Sequence, residues 1–264
     1  MRILNFLFSR SKQEQDKPIR DKLKTRKDFE RVLAEDLDIM ETTKARMDTA
    51  KNINLYMYRS LSYSYILILQ SKYSVDAKID ELRDIYIKSM HYFLQAFNKR
   101  NPIYADILNY VSLGVLLNIP DNNFRQLIDY VKQMDKQAKP SGWTPDLLLW
   151  FMLNSRMKEQ EKQKYAETLA YPRLYNGLYK VIQAPNAAAA KDALNKYLDR
   201  WYNLNSNAPW YNSHLKDNSY RGYWAWEVAA VAKIMHIDDS DLKNNQYYPY
   251  DMVHWADNET TAKE

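Results

Sequence analysis

Between Tyr223 and Met235 the chain places only two charges, Glu227 and Lys233, in an otherwise apolar helical run. A helix at a protein surface shows a polar stripe, and this run has none. It is therefore expected to be a buried central helix, with the rest of the chain arranged about it. Gly222 stands just before it. His236-Ile237 closes it, and Asp238-Asp239-Ser240-Asp241 begins a new turn. Asp239 or Ser240 is positioned to cap a short helix leading to Asn244. Tyr247-Tyr248-Pro249-Tyr250 then ends that piece, because proline holds the residue before it in extended conformations.

Upstream, helical periodicity recurs. Phe29, Val32, Leu33, Leu37 and Met40 fall on one face of a helix starting near Thr25, with Glu30, Arg31, Glu35 and Asp38 between them. The pattern continues, with or without a break near Asn52-Ile53-Asn54, through Tyr56, Leu61, Tyr65 and Leu69. The tyrosines there also suit a strand, but alternation is not sustained and helix ranks first. Further helices are expected over Ser74–Asn98, after Asn101-Pro102, and from Asp121 or Asn122. Lys139-Pro140-Ser141-Gly142 is the strongest boundary signal. Beyond it, helices are expected after Thr144-Pro145, over Leu169–Ile182, and from an Asn186 cap to Tyr202. The fold class expected is all-α: two packed helical subdomains, with antiparallel helices around the aromatic-rich central helix. The division expected is a loose basic arm at 1–24, an N-terminal helical domain at 25–138 and a C-terminal helical domain at 143–257.

Composition narrows the function classes. Only four glycines occur in 264 residues, which argues against glycine-rich phosphate loops and turn-dense β folds. The absence of cysteine excludes disulfides, thiolate zinc sites and cysteine nucleophiles. The net charge of +5 is unevenly spread: residues 10–27 are basic, whereas 28–48 and the tail from Asp238 lean acidic. The basic arm reads as solvated surface, with a nucleic-acid contact as the alternative. The run Ile3–Phe8 is too short for a secretory signal, and no stretch approaches the ~20 apolar residues of a membrane span. A cytoplasmic protein without membrane contact is expected.

Catalytic patterns are weak. His236, Asp238, Asp239, Asp241 and His254 form the only metal-like group in the sequence, and a helix end followed by an acidic cap is the preferred reading of it. No metal, cofactor or catalytic residue is assigned. Glu227 has no basic residue one helical turn away, so its partner is expected to be a tyrosine hydroxyl, an indole or a distant arginine such as Arg200 or Arg221.

Three linked clusters carry a resemblance. Tyr220-x-Gly222-Tyr223-Trp224-x-x-Glu227-x-Ala229-Ala230, then Ile237-Asp238-Asp239-Ser240, then Tyr247-Tyr248-Pro249-Tyr250-Asp251 together resemble the C-terminal domain of PoNi-type immunity proteins. That family protects bacteria against PoNe-type DNase toxins. The resemblance implies an all-helical, non-catalytic inhibitor whose partner is a cognate DNase toxin, with no direct contact to nucleic acid. Tyr220, Gly222, Tyr223, Trp224, Glu227 and Pro249 are the motif residues expected to act structurally. The toxin-contact face is expected at Asp238, Asp239, Asp241, Tyr247, Tyr248 and Asp251. Acidic residues around aromatic anchors suit the occupation of a basic DNA-binding cleft.

Overall fold

The computed structural model describes residues 18–96, 103–136 and 143–255. Ten α-helices form among them: α1 (Arg26–Thr49), α2 (Leu55–Val75), α3 (Ile79–Ala96), α4 (Tyr104–Leu116), α5 (Asp121–Lys136), α6 (Leu147–Asn154), α7 (Pro172–Ile182), α8 (Ala187–Leu204), α9 (Trp226–Met235) and α10 (Tyr250–His254). Three short 3-10 turns join them, and the described residues contain no strand beyond one isolated bridge between Asp146 and Thr168. The all-α expectation holds. The Lys139–Gly142 boundary and the Asn101-Pro102 helix start lie outside the described residues.

The chain forms two compact units, residues 1–97 with 212–223, and residues 98–211 with 224–264. Helices α4 and α5, which precede the Lys139–Gly142 boundary, belong to the second unit.

In the first unit α1, α2 and α3 pack in succession. Thr25 and Asp28 form a reciprocal capping box that starts α1. Ser62, Ser64, Ser71 and Ser74 on α2 are buried, and their small side chains let neighbouring helices approach closely. Ser89 Oγ of α3 donates to the Ser62 carbonyl at 2.8 Å. The tyrosine-rich stretch expected as helix or strand is helix. The helix expected over Ser74–Asn98 is α3, which starts later, at Ile79, because α2 runs on to Val75. The arm expected to be loose through residue 24 is tied down at its end. Arg20 donates to the carbonyls of Tyr73 and Ala77, both at 3.0 Å, and lies over the Tyr73 ring. Asp21 is buried.

In the second unit α9 is the hub. It packs against α4, α6, α7, α8 and α10. Val228, Ala229, Ala230 and Val231 are fully buried, and the small alanines allow helices to pack on more than one side. His236 adopts the left-handed conformation (φ 51°), and the Ile237 N–H reaches back to the Ala232 carbonyl at 3.0 Å, closing the helix as a Schellman-type cap. The Asn186 side chain caps α8 by accepting from the Ala189 N–H at 2.9 Å, as its position in the sequence implies. Gly177 lets α7 approach α8: a Cβ there would lie 2.7 Å from the Tyr197 ring.

The start of the central helix needs correction. Residues 223–225 are not helical, and α9 begins at Trp226. Gly222 has φ 105°, a conformation that L side chains rarely adopt. Tertiary partners take up the backbone on either side of it. The Arg221 carbonyl accepts from Ser74 Oγ at 2.7 Å and the Gly222 carbonyl from Gln70 Nε2 at 2.8 Å. The Ala225 N–H donates to the Tyr247 carbonyl at 2.9 Å.

Candidate functional site

The acidic turn follows directly from the cap of α9, and its carboxylates separate into two environments. Asp238 and Asp241 face solvent and converge on Lys191 of α8, with Nζ–O distances of 2.8 and 3.2 Å. Asn195, one helical turn along α8, donates to Asp241 at 2.9 Å. Asp238 also accepts from the Ser240 N–H at 3.2 Å; Asp239 holds the N-cap position of the Ser240–Leu242 turn, without a side-chain cap bond. The Lys191 hydrogen bond holds the Asp238 carboxyl well below the usual range. The bond from Asn195 lowers that of Asp241.

Asp239 points the other way. It is 2 % exposed, accepts from the Tyr248 hydroxyl at 2.6 Å and lies 2.8 Å from His254 Nε2. Burial, reinforced by this carboxylate, pushes the Tyr248 phenol up. Asp239 and Tyr248 are therefore not surface contact residues as expected; their mutual hydrogen bond is internal. The reason is that a carboxylate with two good donors can be buried at acceptable cost. Asp251, in the first turn of α10, and Tyr247 remain partly exposed. Pro249 is buried at the start of α10. Among the described residues no group of three or more His, Asp or Glu side chains is placed to hold a metal ion.

Beside this turn the aromatic residues form a pile. Tyr247 stacks on Tyr202 (5.4 Å between ring centroids, 6° between planes), Tyr202 on Tyr211 (4.6 Å) and Trp201 on Trp210 (5.4 Å). Trp201 is buried and the others are partly exposed. Below the pile, Trp201 Nε1 donates to Glu227 Oε1 at 2.6 Å. An indole is thus the partner of Glu227. Burial pushes the Glu227 carboxyl up to about 7, against which the Trp201 hydrogen bond works only in part. The phenols of Tyr175 and Tyr197 are raised by their own burial and, secondarily, by the Glu227 charge.

Tyr220 and Tyr223 of the motif, with Arg221 between them, serve the first unit. Arg221 is not a partner of Glu227. It forms a buried, two-pronged ion pair with Asp36 of α1, at 2.6 and 2.8 Å. Burial raises the Asp36 carboxyl while Arg221 opposes the rise. Tyr220 donates to the buried Asp21, and Tyr223 Oη accepts from the His214 N–H at 3.0 Å. Trp224, in the second unit, is buried. Asp36 was missed at the sequence level. The signal was present, since Asp36 interrupts the apolar series Phe29, Val32, Leu33 and Met40 at a core position.

Among the described residues no helix is long and apolar enough to cross a membrane. The class defined by fold and site is an all-helical protein with ion-paired and aromatic surface features, built on two compact units. More particularly, the chain belongs to the PoNe immunity protein (PoNi) family: the family's N-terminal model matches residues 11–129 and its C-terminal model residues 144–252. The structure is similar to the crystal structure of Protein PA2201 from Pseudomonas aeruginosa, with a TM-score of 0.70, 19 % identity and 93 % of each chain covered. At that identity the likeness is one of fold. No curated protein matches the chain.

Proposed function

We propose that this chain is a non-catalytic inhibitor that binds a cognate PoNe-type DNase toxin in the cytoplasm and blocks it by occupying its surface. The observation that carries the reading is the match of both family models, in order, over most of the chain. The contact face proposed on the second unit is the exposed pair Asp238 and Asp241 with Tyr247 and Asp251 at its side. Asp238, Asp239, Asp241 and Asp251 stand against Lys191 and Lys243, so this region keeps a net negative charge beside the aromatic residues. That combination suits a basic nuclease surface. The test is Asp238→Lys with Asp241→Lys, checked for folding by circular dichroism. Association with the toxin should slow and protection should fall. Full protection with unchanged association kinetics removes this turn from the interface.

A further inference from the structure

The α1–α2 hairpin turns an apolar face to solvent. Ile39, Ile53, Leu55, Tyr56 and Tyr63 are exposed on it, Tyr56 by 76 % and Tyr63 by 62 %. The register of the two helices fixes how these side chains lie. Residues 50–54 join α1 to α2, and so short a connection makes the helices antiparallel. Thr43 of α1 places its hydroxyl 3.5 Å from that of Ser60 on α2. Ile39 and Tyr63 are therefore level, one turn to one side of this contact. Arg46 and Tyr56 are level one turn to the other side. On α1, Glu35, Ile39, Thr42 and Arg46 recur at i, i+4, i+7 and i+11 and share one stripe. On α2, Tyr56, Arg59 and Tyr63 recur at i, i+3 and i+7.

The surface charge of the hairpin is balanced in sum and divided in space. From residue 35 to 63, with the buried Asp36 set aside, Glu35, Asp38, Glu41 and Asp48 stand against Lys44, Arg46, Lys51 and Arg59. Glu41 and Lys44 pair with each other at 3.3 Å, with Lys44 over the ring of the buried Tyr65. Asp48 acts on Tyr92 of α3. These three therefore belong to the flank. The outer face keeps Glu35 and Asp38 at one end and Arg46, Lys51 and Arg59 at the other. Helix α2 adds no charge beside the acidic end, because none occurs from Ser60 to Ser71. Arg31, one turn before Glu35, is engaged by Asp28 and the Asp217 carbonyl. Glu35 and Arg46 stand about 16 Å apart along the helix axis, twice the screening length of about 8 Å at physiological salt. The two ends therefore do not neutralise each other within one chain.

We infer that the outer face of the α1–α2 hairpin docks a second copy of this chain, across a two-fold axis that sets the acidic end of each copy on the basic end of the other. A two-fold interface brings one patch against itself, so that patch must be self-complementary. This one is: its charge reverses along the hairpin, and an exposed tyrosine stands at either end. Half a turn of rotation pairs unlike charges at both ends and brings Tyr63 of each copy opposite Tyr56 of the other. A partner of one sign, acidic or basic, meets repulsion at one end. Tyrosine and arginine around apolar side chains also have the composition of protein interfaces. The dimer is independent of the immunity reading, since it involves no toxin.

Sedimentation equilibrium of the full wild-type chain should show a monomer–dimer equilibrium that shifts toward monomer as salt rises. Two charge reversals test the face itself. Glu35→Lys with Asp38→Lys makes it basic throughout, and Arg46→Glu with Arg59→Glu reverses the other end. Each variant alone should raise the dimer Kd by about tenfold or more, because like charges then meet at both ends. An equal mixture of the two should dimerise again, since unlike charges are restored at both ends. Circular dichroism checks that the variants fold, and the wild-type measurement needs no variant. A wild-type chain that stays monomeric at the highest concentration at which it is soluble overturns the inference. So does a wild-type dimer that folded variants retain unchanged, or a mixture no more dimeric than its components. Weakened toxin binding in the variants, with the wild-type dimer unaffected by them, assigns the face to the toxin and equally overturns it.

Discussion

Replacing Glu227 by glutamine should change stability in a way that depends strongly on pH. In the folded protein its carboxyl, directed onto the Trp201 indole, ionises at about 7 rather than at its ordinary 4.5. At about 1.4 kcal/mol per pH unit, ionising it in place costs up to about 3.5 kcal/mol, and about 2–3 kcal/mol once the solvent that reaches this partly buried side chain is allowed for. Below pH 4.5 the group is neutral in both folded and unfolded chains, and no penalty applies. Between 4.5 and about 7 the unfolded chain ionises first, so its share of the stability falls as pH rises. Above about 7 the whole penalty is present. Glutamine keeps a carbonyl oxygen for the indole to donate to and never ionises. Glu227→Gln should therefore match the wild type near pH 4.5 and exceed it by about 2–3 kcal/mol near pH 8.5. Urea unfolding followed by circular dichroism across that range measures the difference directly, and subtraction of the two curves cancels every other titrating group. A difference that stays flat from pH 4.5 to 8.5 would refute the reasoning and place Glu227 in contact with water or with a positive charge.

Two further perturbations test the motif segment. Arg221→Ala leaves Asp36 buried and unpaired and should cost about 3–5 kcal/mol, whereas Asp36→Leu combined with Arg221→Met should recover most of that loss; denaturant midpoints of the three variants decide it. Gly222→Ala imposes a side chain at φ 105° and should cost about 1–3 kcal/mol, read as a lowered melting temperature with the helical spectrum retained.

The legible parts of the fold were those set by local chemistry. The apolar run ending at Met235 identified a hub helix because no surface helix tolerates such a face. Asn186 identified the start of α8 because its cap lies within three residues. Tertiary partners hid the rest. Nothing local announces that residues 220–225 stay out of the helix: the side chains that meet them, Gln70, Ser74 and Asp21, are remote in sequence. Asp239 shows the same limit at the candidate site. Counting carboxylates implied that most of the turn faces solvent, and two of the three in Asp238, Asp239 and Asp241 do. Which one turns inward depends on Tyr248 and His254, which lie 9 and 15 residues away. Asp36 was readable in principle, as a lone charge at a core position, but its partner Arg221 lies 185 residues away.

The most direct test of the inhibitor reading is a nuclease assay with purified components. A PoNe-type toxin is held at fixed concentration with DNA substrate while the folded chain is titrated in. The account predicts that cleavage falls to background and stays there at a fixed ratio of chain to toxin, with both proteins recovered intact as a complex. Full nuclease activity in a large excess of folded chain would contradict it.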